Sequence, residues 1–243
     1  MASQLAIRSG VPASPAAVQR LQELLPGRRP VQKAARAEWS YAACAGRLVE
    51  VSGSARSAVL SLAFALVRDA QACREPVAWV AGPEGTFFPP DAAAGGVDLA
   101  ALVVVRLTEM RAAARVAERL LRSGGFGLTV LDFISASPGE KSFIPAPYQG
   151  RLVQLAQRQD ASVVCLTARR EEWVSLSSMV SLRGIAERES PACAGNPASA
   201  GQPVATGNPD RSEVPAILRV VKDKLHGANW QHREVYRAPD GMC

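Results

Sequence analysis

Gly46-Arg-Leu-Val-Glu-Val-Ser-Gly-Ser-Ala-Arg-Ser-Ala-Val-Leu-Ser61 is the stretch that decides the fold class. Arg47 to Val51 reads as a buried strand, Gly53 begins a turn, and Ser57 to Gln71, rich in Ala, Leu and Val, reads as a helix. Strand, tight turn and helix in that order open an α/β unit. The alternation continues outward. Val77-Ala-Trp-Val80 is followed by a Pro/Gly-rich loop through Pro90 and by Ala101-Leu-Val-Val-Val105. Thr108 to Ser123 supplies a helix, Leu128-Thr-Val-Leu-Asp-Phe-Ile134 a further apolar strand, Tyr148 to Gln157 a helical stretch, and Ser162-Val-Val-Cys-Leu-Thr167 the next strand. Strands apolar on both faces, separated by helices, imply a mainly parallel sheet covered on each side.

The two ends of the chain read differently. Ser14 can cap a helix that opens with Pro15 and places Val18, Leu21, Leu24 and Leu25 on one face, with Pro26 and Gly27 ending it. Those four apolar residues are candidates for docking on a partner; covering the chain's own domain is the other reading. A basic stretch, Arg28 to Arg36, follows. At the far end, Ser181 to Arg188 alternates weakly, and the segment 190–215 is dominated by Pro, Gly, Ala, Ser and Asn, as a mobile loop would be. Ile217 to Lys224 and Arg233 to Arg237 then read as a closing antiparallel pair joined through His226, Gly227, Asn229 and Trp230. The expected plan is an N-terminal helical arm and basic linker (1–40), an α/β core (41–189), the loop (190–215) and C-terminal strands that complete the core (216–243).

Composition narrows the function classes. At 243 residues and 48% hydrophobic content the chain can bury one sizeable core. It has no apolar run of about 18 residues or more, and its first residues lack the apolar stretch of a secretory signal, so a soluble, cytoplasmic protein with no membrane contact is expected. Cys44, Cys73, Cys165, Cys193 and Cys243 are scattered with no C-x-x-C pair, which indicates neither a disulfide framework nor a zinc site. A net charge of +6 favours polyanions or acidic proteins as partners.

A phosphate-binding loop needs a strand, a Gly-rich turn whose N–H groups face the phosphates, a Lys for the β and γ groups, and Ser or Thr for magnesium. The run Gly53, Ser54, Ala55, Arg56, Ser57, Ala58, Val59, Leu60 stands where such a loop should stand, with Val59 at the Lys position and Leu60 at the Ser/Thr position. Without a cation and a metal ligand, the charge that develops in phosphoryl transfer has no local stabiliser.

At these residues the chain resembles the bacterial RecA family, and more closely its ImuA branch, associated with mutagenic DNA repair. Gly46 to Gly53 resembles the approach to the family's phosphate loop, Gly96-Val-Asp-Leu-Ala-Ala-Leu-Val103 the segment before its third strand, and Gly127-Leu-Thr-Val-Leu-Asp132 its metal-site strand. Val220 to Gly227 resembles the basic turn near the end of the family's core, and Arg233 to Arg237 its final strand. The resemblance spans about residues 46 to 240, carried by the order and spacing of these motifs. It implies a RecA-like core, with Asp132 as the vestige of a magnesium ligand; a strand-end residue that caps a neighbour is the other reading of Asp132. Where the family places its catalytic glutamate, the chain reads Val80-Ala-Gly-Pro-Glu-Gly85, so Pro83 or Glu84 takes that place. The Gly-rich loop with which RecA proteins hold single-stranded DNA is replaced after Thr167 by Ala168-Arg-Arg-Glu-Glu-Trp173.

The expectation is therefore a non-hydrolysing RecA-like accessory protein, without catalytic residues, metal or cofactor, acting in DNA-damage tolerance. The resemblance implies RecA and the mutasome protein ImuB as partners. Charge alone is as consistent with weak nonspecific DNA contact as with an ordinary soluble surface. The alternatives are a DNA-binding ATPase with a relocated lysine, for which Arg28 to Arg36 and Lys222 to Lys224 speak, and a SulA-like inhibitor of cell division.

Overall fold

The stretch after Gly46 forms β1 (Leu48–Ser52), and all five of its residues, Glu50 and Ser52 included, are buried. The computed structural model describes residues 36–54, 57–135, 144–188 and 213–237. A short α1 (Tyr41–Cys44) precedes β1, and α2 (Val59–Ala72) follows its turn. The chain continues through β2 (Val77–Ala81), α3 (Pro89–Ala94), β3 (Leu102–Arg106), α4 (Ala113–Arg122), β4 (Leu128–Phe133), α5 (Ala146–Arg158) and β5 (Ser162–Thr167). It closes with β6 (Leu182–Arg188), β7 (Glu213–Asp223) and β8 (Gln231–Arg237).

These strands make one eight-stranded sheet in the order β3-β2-β4-β5-β1-β6-β7-β8. Every pair from β3 to β6 is parallel; β7 runs antiparallel to both β6 and β8. The expected class holds at that level: an α/β, mostly parallel sheet with an antiparallel C-terminal end.

Because successive strand residues point to opposite faces, Leu48 and Val49 serve two different cores. On one face α2 packs Val59, Leu62, Phe64 and Leu66 against Val49, Val51, Trp79, Val130 and Leu166. Trp79 sits there between Phe64 and Phe87, with ring centroids 5.4 and 5.2 Å away. On the other face, α4 and α5 bring Ala114, Ala117, Leu121, Leu152 and Ala156 onto Leu48, Val80, Leu131 and Val163. The chain thus leaves β1 over one face to reach β2 and β3, and returns over the other to lay down β4 and β5.

The C-terminal pair is fastened to the start of the sheet by a buried ion pair. Arg47 donates to Asp223 at 2.5 Å and to the hydroxyl and carbonyl oxygens of Ser181, both at 2.9 Å. An Arg–carboxylate pair sealed this way is costly to break from one side only.

Several boundaries differ from the sequence reading. The core reaches back to Trp39, which is buried and donates its indole N–H to the Leu62 carbonyl at 3.1 Å. Weakly alternating Ser181 to Arg188 yields β6, held by a strand on either side. β7 begins at Glu213, so the last three residues of the stretch expected to be loop belong to a strand, where they pair with β8. Val18, Leu21, Leu24 and Leu25 of the arm, and most of the 190–215 stretch, lie outside the described residues. Among the described residues no helix is long and apolar enough to cross a membrane.

Candidate functional site

In open α/β sheets, ligands bind beyond the carboxyl ends of the strands, where successive connections diverge. The turn after β1 occupies that place: β1 lies between β5 and β6, and its exit through α2 leads away from β6 toward β2. Ala55 and Arg56 of this turn lie outside the described residues. Gly53 donates its N–H to the Thr167 carbonyl at 3.1 Å, and Ser57 donates to the Ser54 carbonyl at 2.9 Å.

The turn is packed on itself. A Cβ built on Gly53 would lie 2.2 Å from Ser57 Oγ and 2.8 Å from Val59 Cγ2, so glycine is required here because the chain's own side chains fill the space beside it. Ala58 precedes α2 without a side-chain cap. Val59, at the lysine position, is 3% exposed and belongs to the core beneath α2; Leu60, at the Ser/Thr position, packs against the same core. Neither side chain carries a charge or a donor, and Val59 points into hydrocarbon.

Asp132 is buried at the end of β4, and its oxygens are taken by protein groups. One accepts the Thr86 backbone N–H at 3.0 Å and the Thr86 hydroxyl at 2.8 Å; the other accepts the Ile134 N–H at 3.2 Å. It holds the loop after β2 against β4. Pro83 and Glu84 stand exposed in that loop, which turns through a Gly85 N–H to Gly82 carbonyl bond of 3.1 Å. Among the described residues no His, Cys, Asp and Glu side chains gather in a metal-binding group.

The densest polar cluster was not singled out in the sequence. Glu50, fully buried on β1, accepts the Leu176 N–H at 2.9 Å and the Ser52 and Thr167 hydroxyls at 3.3 Å each. Its carboxylate lies 3.7 Å from Arg183 Nε and 3.9 Å from Arg169 Nε. Arg183, opposite Glu50 on β6, donates to the carbonyls of Arg170 at 2.8 Å and Trp173 at 2.6 Å. Arg219 on β7 forks onto both oxygens of Glu171 at 2.7 Å, which holds that carboxyl below its usual range. Together these bonds strap residues 168–177 across β1 and β6. The strap and the residues after it expose Trp173, Val174 and Met179. A signal was present in the sequence, since Glu50 puts a charge in the middle of a strand read as buried; its partners Thr167, Arg169, Leu176 and Arg183 are remote in the chain.

The buried thiols of α1 and β5 are held protonated. Burial pushes Cys44 up to about 12, and burial together with the Glu50 charge raises Cys165 well above the ordinary thiol value. Neither is a nucleophile at neutral pH. Cys193 and Cys243 lie outside the described residues.

No protein-family model matches the chain, and no curated protein sequence matches it.

Proposed function

We propose that this chain is a non-hydrolysing RecA-like binding protein of the cytoplasm that serves DNA-damage tolerance through protein contacts, with RecA or an ImuB-type mutasome protein as partner. The observation that carries the reading is the state of the turn after β1. It stands at the ligand-binding edge of the sheet, yet its lysine position is a core valine, its metal position a leucine, and its glycine is overlaid by Ser57 and Val59. Catalysis of phosphoryl transfer needs charge at that point, and hydrocarbon supplies none. The strap supports the binding half of the reading, because Trp173, Val174 and Met179 are large apolar side chains held out on an anchored backbone. Exposed groups of this kind mark contact surfaces.

The test uses purified full-length protein. Magnesium-dependent ATP turnover should not exceed a blank, and micromolar ATP should give no equilibrium binding. Binding to RecA or to an ImuB-type protein should weaken at least about tenfold in a Trp173→Ala, Val174→Ser variant, the loss of one anchor being worth at least ~1.4 kcal/mol. Turnover above the blank, ATP binding, or failure to bind either partner would overturn the proposal. Restoring Val59→Lys with Leu60→Thr should create no ATPase and should lower stability, since an ammonium is then forced into the core of α2.

A further inference from the structure

The outer wall of α4 and α5 is made of arginine. Arg115, Arg119 and Arg122 are all exposed on α4, and at 3.6 residues per turn they fall within an arc of about 60°. α5 adds Arg151 and Arg158, two turns apart and exposed. The two helices pack on the same face of the sheet, and they border an open cavity of about 400 Å³ lined by Arg122, Arg151, Gln154, Leu155, Arg158 and Gln159. Glu118 reaches this wall from below. Its carboxylate is 11% exposed, 2.8 Å from Arg122 and 3.8 Å from Arg151, and so pairs closely with Arg122, stands near Arg151 and cancels one charge. Arg115, Arg119 and Arg158 have no carboxylate partner among the described residues.

Part of this charge has a structural use. Arg119 and Arg122 occupy the last turn of α4 and Arg158 that of α5, where backbone carbonyls amount to about half a negative charge per helix. Five arginines less Glu118 and two helix ends still leave roughly three positive charges on one wall. Every cation is Arg, whose planar fork pairs with phosphate oxygens two at a time. The cavity offers one aliphatic side chain, Leu155, and two amides, so it has little with which to anchor a peptide. The cations are also spread along about 10 Å of helix between Arg151 and Arg158, which suits a repeating anion better than a single one.

We infer that this wall is a nucleic-acid backbone site, binding the phosphodiesters of DNA or RNA without reading their sequence. Arg119, Arg122 and Arg158 stand in the last turns of α4 and α5, which lead into the starts of β4 and β5, so this end of the wall lies toward the amino edge of the sheet, away from the turn after β1. The inference therefore does not rest on the proposed function above.

Fluorescence anisotropy of full-length protein with labelled single-stranded and duplex oligonucleotides of roughly thirty units, over about 50 to 200 mM NaCl, tests it. Removing charge with Arg119→Gln, Arg122→Gln and Arg158→Gln should weaken binding by at least about tenfold at the low-salt end and flatten the logarithmic salt slope by about 2 to 3. Arg119→Lys, Arg122→Lys and Arg158→Lys should keep that slope, and Lys222→Gln with Lys224→Gln should leave binding unchanged. Melting curves are taken on the same samples; if the Gln variant does not fold, Arg115→Glu with Arg119→Glu replaces it, and binding should again be lost. No binding by the wild type, binding unaffected by the Gln or Glu changes, or displacement of the oligonucleotide by polyglutamate at equal concentration would overturn the site.

Discussion

Glu50 stands in the middle of β1 and ties that strand to the strap through the Leu176 N–H and to β6 through Arg183. A fully buried carboxylate is tolerable only when paired and hydrogen-bonded, and here two guanidinium groups, two hydroxyls and the Leu176 N–H meet that need. Removing it leaves Arg183 buried with its carboxylate gone while its other donors still hold the strap. Glu50→Ala should cost about 3 to 5 kcal/mol in urea unfolding. The same variant should be cut faster by trypsin at Arg169 and Arg170, since Leu176 loses its acceptor. Glu50→Gln keeps an acceptor without the charge and should fall between Glu50→Ala and wild type. Equal stability of Glu50→Ala and wild type would show that the cluster is incidental to the strap. Asp132 belongs to the same scale: the sequence resemblance makes it the vestige of a metal ligand, and the structure gives it the work of holding Thr86.

At the scale of elements, β6 and β7 meet through an exchange of volume. A Cβ on Gly184 would stand 2.4 Å from Leu218 Cδ1 and 2.8 Å from its Cγ, so the leucine packs into the room that glycine leaves. Gly184→Ala should destabilise by about 1 to 3 kcal/mol through overpacking, and Leu218→Ala by about 2 to 5 kcal/mol through the cavity it opens. In the double variant the new methyl enters that cavity, and the combined cost should fall short of the sum by about 0.5 to 3 kcal/mol. Strict additivity would refute the packing argument. The same strands show where sequence reading stops. β1, β2, β4 and β5 were legible because burial on both faces dictates an apolar run. β6 was not, because Arg183 is turned inward to serve Glu50 while Glu187 and Arg188 stand exposed, and the alternation dissolves. The strap was illegible for a related reason: its backbone answers to Glu50, 126 positions from Leu176, and to Arg183. The vacant Lys and Ser/Thr positions could be read directly, since a missing charge is visible in a sequence; that Val59 is core and that Ser57 covers Gly53 required the fold.

Across the whole molecule, the C-terminal hairpin is part of the core and not an appendage to it. Ala216, Leu218 and Val220 of β7 share one buried cluster with Trp79 of β2, five strands away across the sheet, and Trp230 packs against that cluster from the turn before β8. Arg47 and Asp223 add a buried charge pair between the first strand's approach and the hairpin, and Trp230 donates its indole N–H to the same Asp223 at 3.3 Å. A hairpin joined to the sheet through hydrocarbon, an ion pair and a backbone ladder cannot leave without exposing α2's core. Two variants that each keep a single tryptophan test this: one retains Trp79, with Trp39, Trp173 and Trp230 changed to Phe, and the other retains Trp230, with Trp39, Trp79 and Trp173 changed to Phe. In each, the urea midpoint from fluorescence should coincide with that from far-ultraviolet circular dichroism of the same sample, as one cooperative unit requires. If the Trp230 fluorescence moved at lower urea than the dichroism while Trp79 fluorescence followed it, the hairpin would be unfolding by itself, and the ion pair at Arg47 and Asp223 would have to be read as a clasp between two units.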